Sequence, residues 1–260
     1  MPLCQVPAVA QWYWRPLFQS TSRNRLSGAA WQHRTPSGEH RYIAPVIVVV
    51  GNPIHSASLT GVAADGLAAR VALAARAAGA AVQLVGKAGE DAAGDEILLA
   101  LAGGGVGHVA LRREAARQTP RLIEAADDDS LDGGAAPPTL EPLDPAARPT
   151  LEPADLDLAL RYLTDFAVLV LAEPGRELLR VAVAAASWHD ATLIVLLRPG
   201  DDVPIEVPES AIVLEAPGWG AEDAFAELVG SMAARVDRGE EPSSALRELA
   251  ATAGWTAAEA

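Results

Sequence analysis

Val46-Ile47-Val48-Val49-Val50 is an unbroken apolar, β-branched run closed by Gly51. A strand of this kind has no polar face, so both of its sides must be covered. Strands covered on both sides belong to parallel sheets flanked by helices. The residues that follow repeat the theme. A helix is predicted over 62–78, stopped by Gly79, and 81–85 reads as the next strand. The turn Gly89-Glu90-Asp91-Ala92-Ala93-Gly94-Asp95 enters a short helix ending at Gly103-Gly104-Gly105, and 108–111 reads as a further strand. After an interruption the alternation resumes. A helix over 155–163, a strand over 166–171, a helix over 177–187 and strands over 192–197 and 211–214 lead to two last helices, 221–238 and 243–253. The spacing predicts one α/β domain over residues 45–260, doubly wound, with a mostly parallel sheet and helices on both faces.

Composition adds two constraints. Alanine supplies 54 of the 260 residues and aromatics only 5%, so the helices must pack closely through thin side chains. The formal charge of −14 repels phosphate backbones and argues against nucleic-acid or anionic-membrane partners. Cys4 is the single cysteine, which excludes an intrachain disulfide and fits a reducing, cytoplasmic compartment.

Two segments depart from the pattern. In residues 1–44, Arg15, Arg23, Arg25, Arg34 and Arg41 face one acid, Glu39, leaving this stretch at +4 and the remainder at −18. It reads as a flexible basic extension, and its Arg-rich, acid-poor composition is also that of an organellar transit peptide. Residues 127–157 hold nine acids, one base and six prolines. Proline removes donors and the acids repel one another, so 127–153 is expected to be an exposed loop without regular elements.

Three separated stretches carry a resemblance. VVVGNPI at 48–54, AARAAGAAVQLVGKAGEDAAGDEILLALAGGGV at 74–106 and GAEDAFAELVGSMAARVDRGEEPSSALRELAATAG at 220–254 resemble the ribokinase-like, or PfkB-type, carbohydrate kinases. The resemblance implies the ribokinase-like fold and transfer of the ATP γ-phosphoryl to a hydroxyl of a sugar or nucleoside, with Mg²⁺. It makes Asp223 the counterpart of the family's base. Gly220, Ala221 and Glu222 take the place of the anion hole, where backbone N–H groups at a helix N-terminus hold phosphoryl charge. On the substrate side it implies Asn52, Ser56, Asp65, Arg70, Gly89 and Asp91, of which Gly89, Asp91 and Gly94 match the family's G-x-D-x-x-G turn.

The departures are chemical. Glu222 replaces the second glycine of the family's G-A-G-D, placing a carboxylate where polyphosphate should lie. Ser56 stands for the early substrate-binding aspartate. In the G-G-x-x-x-N motif, Asp65 stands for a glycine and Arg70 for the asparagine. Arg70 invites a phosphate role, but an arginine here also covers apolar surface or pairs with Asp65 or another acid, neutralising the pocket. Few residues separate His55 from Gly61, so no β-sheet lid is expected, and no N-x-x-E counterpart is found between Leu197 and Gly220. A second alignment sets 208–230 on the N-x-x-E segment; the following ALRELAATAG favours the first. His55, His108 and His189 are too scattered for a metal site. P-loop, G-x-G-x-x-G and G-x-S-x-G patterns are absent from the chain.

These substitutions point to a degenerate kinase homologue that binds a small polar molecule or a protein partner without efficient phosphotransfer. The alternative is an active ATP- and Mg²⁺-dependent kinase using Asp223. The oligomeric state is left open.

Overall fold

Alternate residues of β1 (Val46–Val50) serve opposite cores: Ile47 and Val49 pack into one, Val48 and Val50 into the other, all at most 2% exposed. The computed structural model describes residues 46–58, 61–123, 138–218 and 220–252. The extension over 1–44 and the acidic stretch 124–137 lie outside these residues. Six strands form the central sheet in the order β10-β9-β8-β1-β4-β5. They are β1, β4 (Ala81–Gly89), β5 (Leu111–Glu114), β8 (Phe166–Ala172), β9 (Thr192–Leu197) and β10 (Ile212–Glu215). Every pairing in this sheet is parallel.

Helices cover both faces, as the two-sided apolar strands require. One face carries α1 (Leu67–Ala77), α2 (Ala92–Gly103), α5 (Glu222–Asp237) and α6 (Pro242–Thr252); the other carries α3 (Pro153–Tyr162) and α4 (Arg176–His189). The alanine content is used where α1 meets α5. A Cβ on Gly230 of α5 would lie 2.5 Å from the Ala75 nitrogen and 2.7 Å from the Ala74 Cβ. The two backbones nearly touch, and only glycine facing alanine permits it. Gly230→Leu should therefore destabilise by about 3 kcal/mol or more through overpacking, read as a lower urea midpoint. An unchanged midpoint would mean that the helices have room to part.

Four boundaries differ from the sequence expectation. Residues 61–65 form a strand, β3 (Gly61–Asp65), not the start of α1; Gly66, at φ 87°, separates the two. The strand expected at 108–111 begins only at Leu111. Residues 138–152 keep a short strand, β7 (Thr139–Leu140), and a 3₁₀ turn (Pro145–Ala147) capped by Asp144, so regular structure persists within the acidic region. The fourth correction is the largest: a second sheet exists where no lid was expected. Its order is β3-β2-β6-β7, with β2 (Ile54–Ser58) antiparallel to β3 and parallel to β6 (Arg121–Ile123), and β6 antiparallel to β7. Its material comes from residues read as helix and loop. Ala63 and Ala64 favour a helix intrinsically, but pairing of Ser56 with Ala63 and of His55 with Ala64 overrides that weak preference.

Candidate functional site

The site lies at the carboxyl ends of the central strands, where parallel sheets place their ligands. Gly51 follows β1 there. A Cβ on it would meet the Ala68 Cβ at 2.7 Å and the Ala172 Cβ at 3.3 Å, so the chain can turn only because the residue is glycine. The first turns of α1 and α5 end side by side at this edge. Their junction is Arg70, whose guanidinium forks onto Asp65, through Nε to Oδ1 and Nη2 to Oδ2 (3.0 Å). Its Nη1 donates to Asp223 Oδ1 at 2.9 Å. The hydrogen bond to Asp65 holds the guanidinium above its ordinary range; burial opposes this, and the charges of Asp65, Asp223 and Glu222 add to it.

Glu222 takes the first position of α5. Its Oε2 accepts the Gly220 N–H at 2.8 Å, and Gly220 is at φ 94°, in the left-handed region that suits glycine. A backbone N–H just before the helix is thus occupied by the chain's own carboxylate. Ala221, the residue before α5, offers no side-chain cap. Around this helix end one guanidinium stands among three carboxylates, a net negative neighbourhood.

The other positions singled out in the sequence divide into two groups. Ser56 shares a face of the second sheet with Asp65, since Ile54 pairs with Asp65 and Ser56 with Ala63. Asn52 is spent on the scaffold: its Nδ2 donates to the Pro149 carbonyl at 2.9 Å and its Oδ1 accepts the Lys87 N–H at 2.8 Å. Asp91 caps α2. It accepts the Gly94 N–H at 2.9 Å and the Thr119 hydroxyl and N–H at 2.7 and 2.8 Å. Burial alone would raise its carboxyl, but the Thr119 and Gly94 donors, with the charge of Arg121, outweigh it and leave the group below the usual carboxylate range. Gly89 is fixed by space, because a Cβ would lie 2.6 Å from the Arg117 carbonyl oxygen. Among the described residues, no group of three or more His, Cys, Asp or Glu is arranged to hold a metal ion.

Sequence reasoning passed over Lys87. It is buried on β4 with its ammonium 2.7 Å from Asp155 and 3.6 Å from Glu114. The signal was present: Lys87 directly follows Leu84-Val85-Gly86, and a lysine carried into the core by such a run must be paired.

Solved structures provide the comparison. The chain superimposes on Arabidopsis thaliana ribokinase complexed with ribose and ATP at a TM-score of 0.54 and 16% identity, covering 81% of this chain and 91% of that one. The fold is ribokinase-like. A PfkB protein from Polaromonas sp. JS666 gives a TM-score of 0.56 at 16% identity, with 80% and 93% covered. The chain spans 65% of a fructokinase with bound ATP from Xylella fastidiosa, covering 80% of itself at 17% identity and a TM-score of 0.47. No family model and no curated relative matches the sequence. At these identities the likeness extends to the ribokinase-like fold. Among the described residues, no helix is long and apolar enough to cross a membrane.

Proposed function

We propose that the protein is a degenerate ribokinase-like carbohydrate kinase homologue, which binds a small polar ligand in the cleft beside α5 without efficient phosphoryl transfer. One observation carries this reading: the Arg70 guanidinium sits on the Asp223 carboxylate, at 2.9 Å. A general base must reach its acceptor hydroxyl through a free lone pair and must be able to take up a proton. The guanidinium takes up lone-pair space on Asp223 Oδ1 that such a base would need free. The Glu222 carboxylate on the Gly220 N–H acts in the same direction, since electrostatic stabilisation of phosphoryl charge depends on donors that are free to meet it.

A second reading, an ATP- and Mg²⁺-dependent sugar or nucleoside kinase, is supported by one fact. The Asp223 side chain remains 86% exposed, so the carboxylate is accessible from solvent. Calorimetric titration with Mg²⁺·ATP separates the two. The degenerate reading expects no saturation in the millimolar range; saturable binding followed by turnover of ribose or a nucleoside would overturn it. Should turnover appear, Asp223→Asn is expected to abolish it. The single cysteine supports a reducing, cytoplasmic setting.

A further inference from the structure

The second sheet has two faces, and only one carries Asp65, which joins the Arg70 cluster. His55 precedes Ser56 on β2, so its side chain takes the opposite face, where its Nε2 meets Glu96 of α2 at 2.6 Å. Arg121 of β6 is the register partner of His55 and therefore lies on this α2 side. Glu141, just after β7, stands across from Arg121: its N–H donates to the Arg121 carbonyl at 2.8 Å, and the adjacent pair is Leu122 with Leu140.

Here the sheet borders a cavity of about 380 Å³ whose lining includes Asp91, Gln118, Thr119, Arg121 and Glu141. Its inner wall is rigid, because Asp91 and the buried Thr119 are bonded to each other and to backbone. Its outer wall is unusual. Arg121 and Glu141 are cross-strand neighbours of opposite charge, an arrangement that ordinarily closes into an ion pair. Among the described residues no ion pair joins them and neither side chain hydrogen-bonds, although the Arg121 charge acts on the Asp91 carboxyl across the cavity; the cavity opens beside them. Gln118 likewise presents an amide with no partner among the described residues.

We propose that this cavity binds a small zwitterion of the α-amino-acid type, its carboxylate on Arg121 and its ammonium on Glu141. The guanidinium fork matches a carboxylate bidentately, and the Glu141 carboxylate accepts from an ammonium. A phosphate would meet two carboxylates, Asp91 and Glu141, against one guanidinium. A neutral polyol would bring no counter-charge to either Arg121 or Glu141. The volume falls within the range of small-molecule sites, about 300–1,000 Å³. The site is separate from the Arg70–Asp223 cleft, so it stands whether or not the protein transfers phosphoryl groups.

The test is ligand-observed NMR on the full chain with glycine, L-serine and L-glutamine, and with inorganic phosphate and ribose as comparisons. Saturable binding of at least one amino acid is expected. Arg121→Gln and Glu141→Gln should each weaken it about tenfold or more, as losing one charged hydrogen-bond partner does, while Arg180→Gln, on α4 at the other face of the central sheet, should leave it unchanged. Both substituted side chains are exposed, so circular dichroism should show an unaltered fold. Failure of all three amino acids to bind, binding indifferent to both substitutions, or phosphate or ribose bound through Arg121 in their place would each overturn the assignment.

Discussion

Replacing Lys87 by methionine should cost about 3–5 kcal/mol of folding stability, the range seen when one partner of a buried ion pair is removed. The Lys87 and Asp155 side chains are only 10% and 13% exposed, and the ammonium lies 2.7 Å from the carboxylate. The same ammonium is 3.6 Å from Glu114 Oε2, a buried oxygen with no hydrogen-bond partner among the described residues. Methionine fills similar space but takes the buried cation from two carboxylates, leaving Glu114 with only Arg117, at 3.3 Å. Arg112, also on Asp155, relieves part of that loss but is more than half exposed. The double change Lys87→Met with Asp155→Leu should be milder than Lys87→Met alone, because no carboxylate then remains at Asp155. Urea unfolding reads both; a loss below about 1 kcal/mol for the single variant would place this pair with ordinary surface pairs.

The pair also has a pH signature. Burial would raise the Asp155 carboxyl, but the Lys87 hydrogen bond, the Glu152 N–H and the charges of Lys87 and Arg112 outweigh it and depress the group. A carboxyl depressed in the folded state contributes fully above its unfolded value, about 3.9, and loses that contribution as pH falls through the folded value. The stability difference between the wild type and Asp155→Asn should hold steady from neutral pH to about 5 and shrink below about 4. A constant difference down to strongly acidic pH would remove Asp155 from the account.

The central sheet was legible because its signal is redundant. Thr192–Leu197 is found with the predicted bounds, and Val46–Val50 is a two-sided strand as its composition requires. The second sheet was not, for a specific reason. Its strands are two to five residues long and are specified by partners far along the chain, such as Ser56 with Leu122. Alanine at 63 and 64 then tips a local reading towards helix. Within the site, the antagonism between Glu222 and an anion was readable from position alone, since any carboxylate at the first helical residue faces the orphan N–H groups. That Arg70 would join Asp65 to Asp223 was readable only as one option among several. The first contact is five residues away, but the second crosses 153 residues and depends on how closely Gly230 lets α5 approach α1.

That closeness suggests how to reopen the site. Arg70→Asn alone is a poor test, because it would leave the Asp65 carboxylate, 13% exposed, without its fork. Asp65 and Arg70 therefore have to be exchanged together, Asp65→Gly with Arg70→Asn, which removes one charge of each sign and leaves no buried carboxylate behind. Glu222→Gly completes the change by freeing the Gly220 N–H. In the triple variant Asp223 loses its counter-ion, and the neighbourhood of the α5 terminus falls from three carboxylates and a guanidinium to one carboxylate. Affinity for Mg²⁺·ATP should rise by about a hundredfold or more over the wild type, roughly tenfold for each obstruction removed. Glu222→Gly by itself should supply about a tenth of that gain, since Arg70 still holds Asp223. Titration of the four proteins separates the contributions. If the triple variant binds nucleotide no better than the wild type while keeping its unfolding midpoint, the obstruction at α5 is not what limits this site, and the degenerate reading would have to rest on the missing N-x-x-E counterpart between β9 and α5 instead.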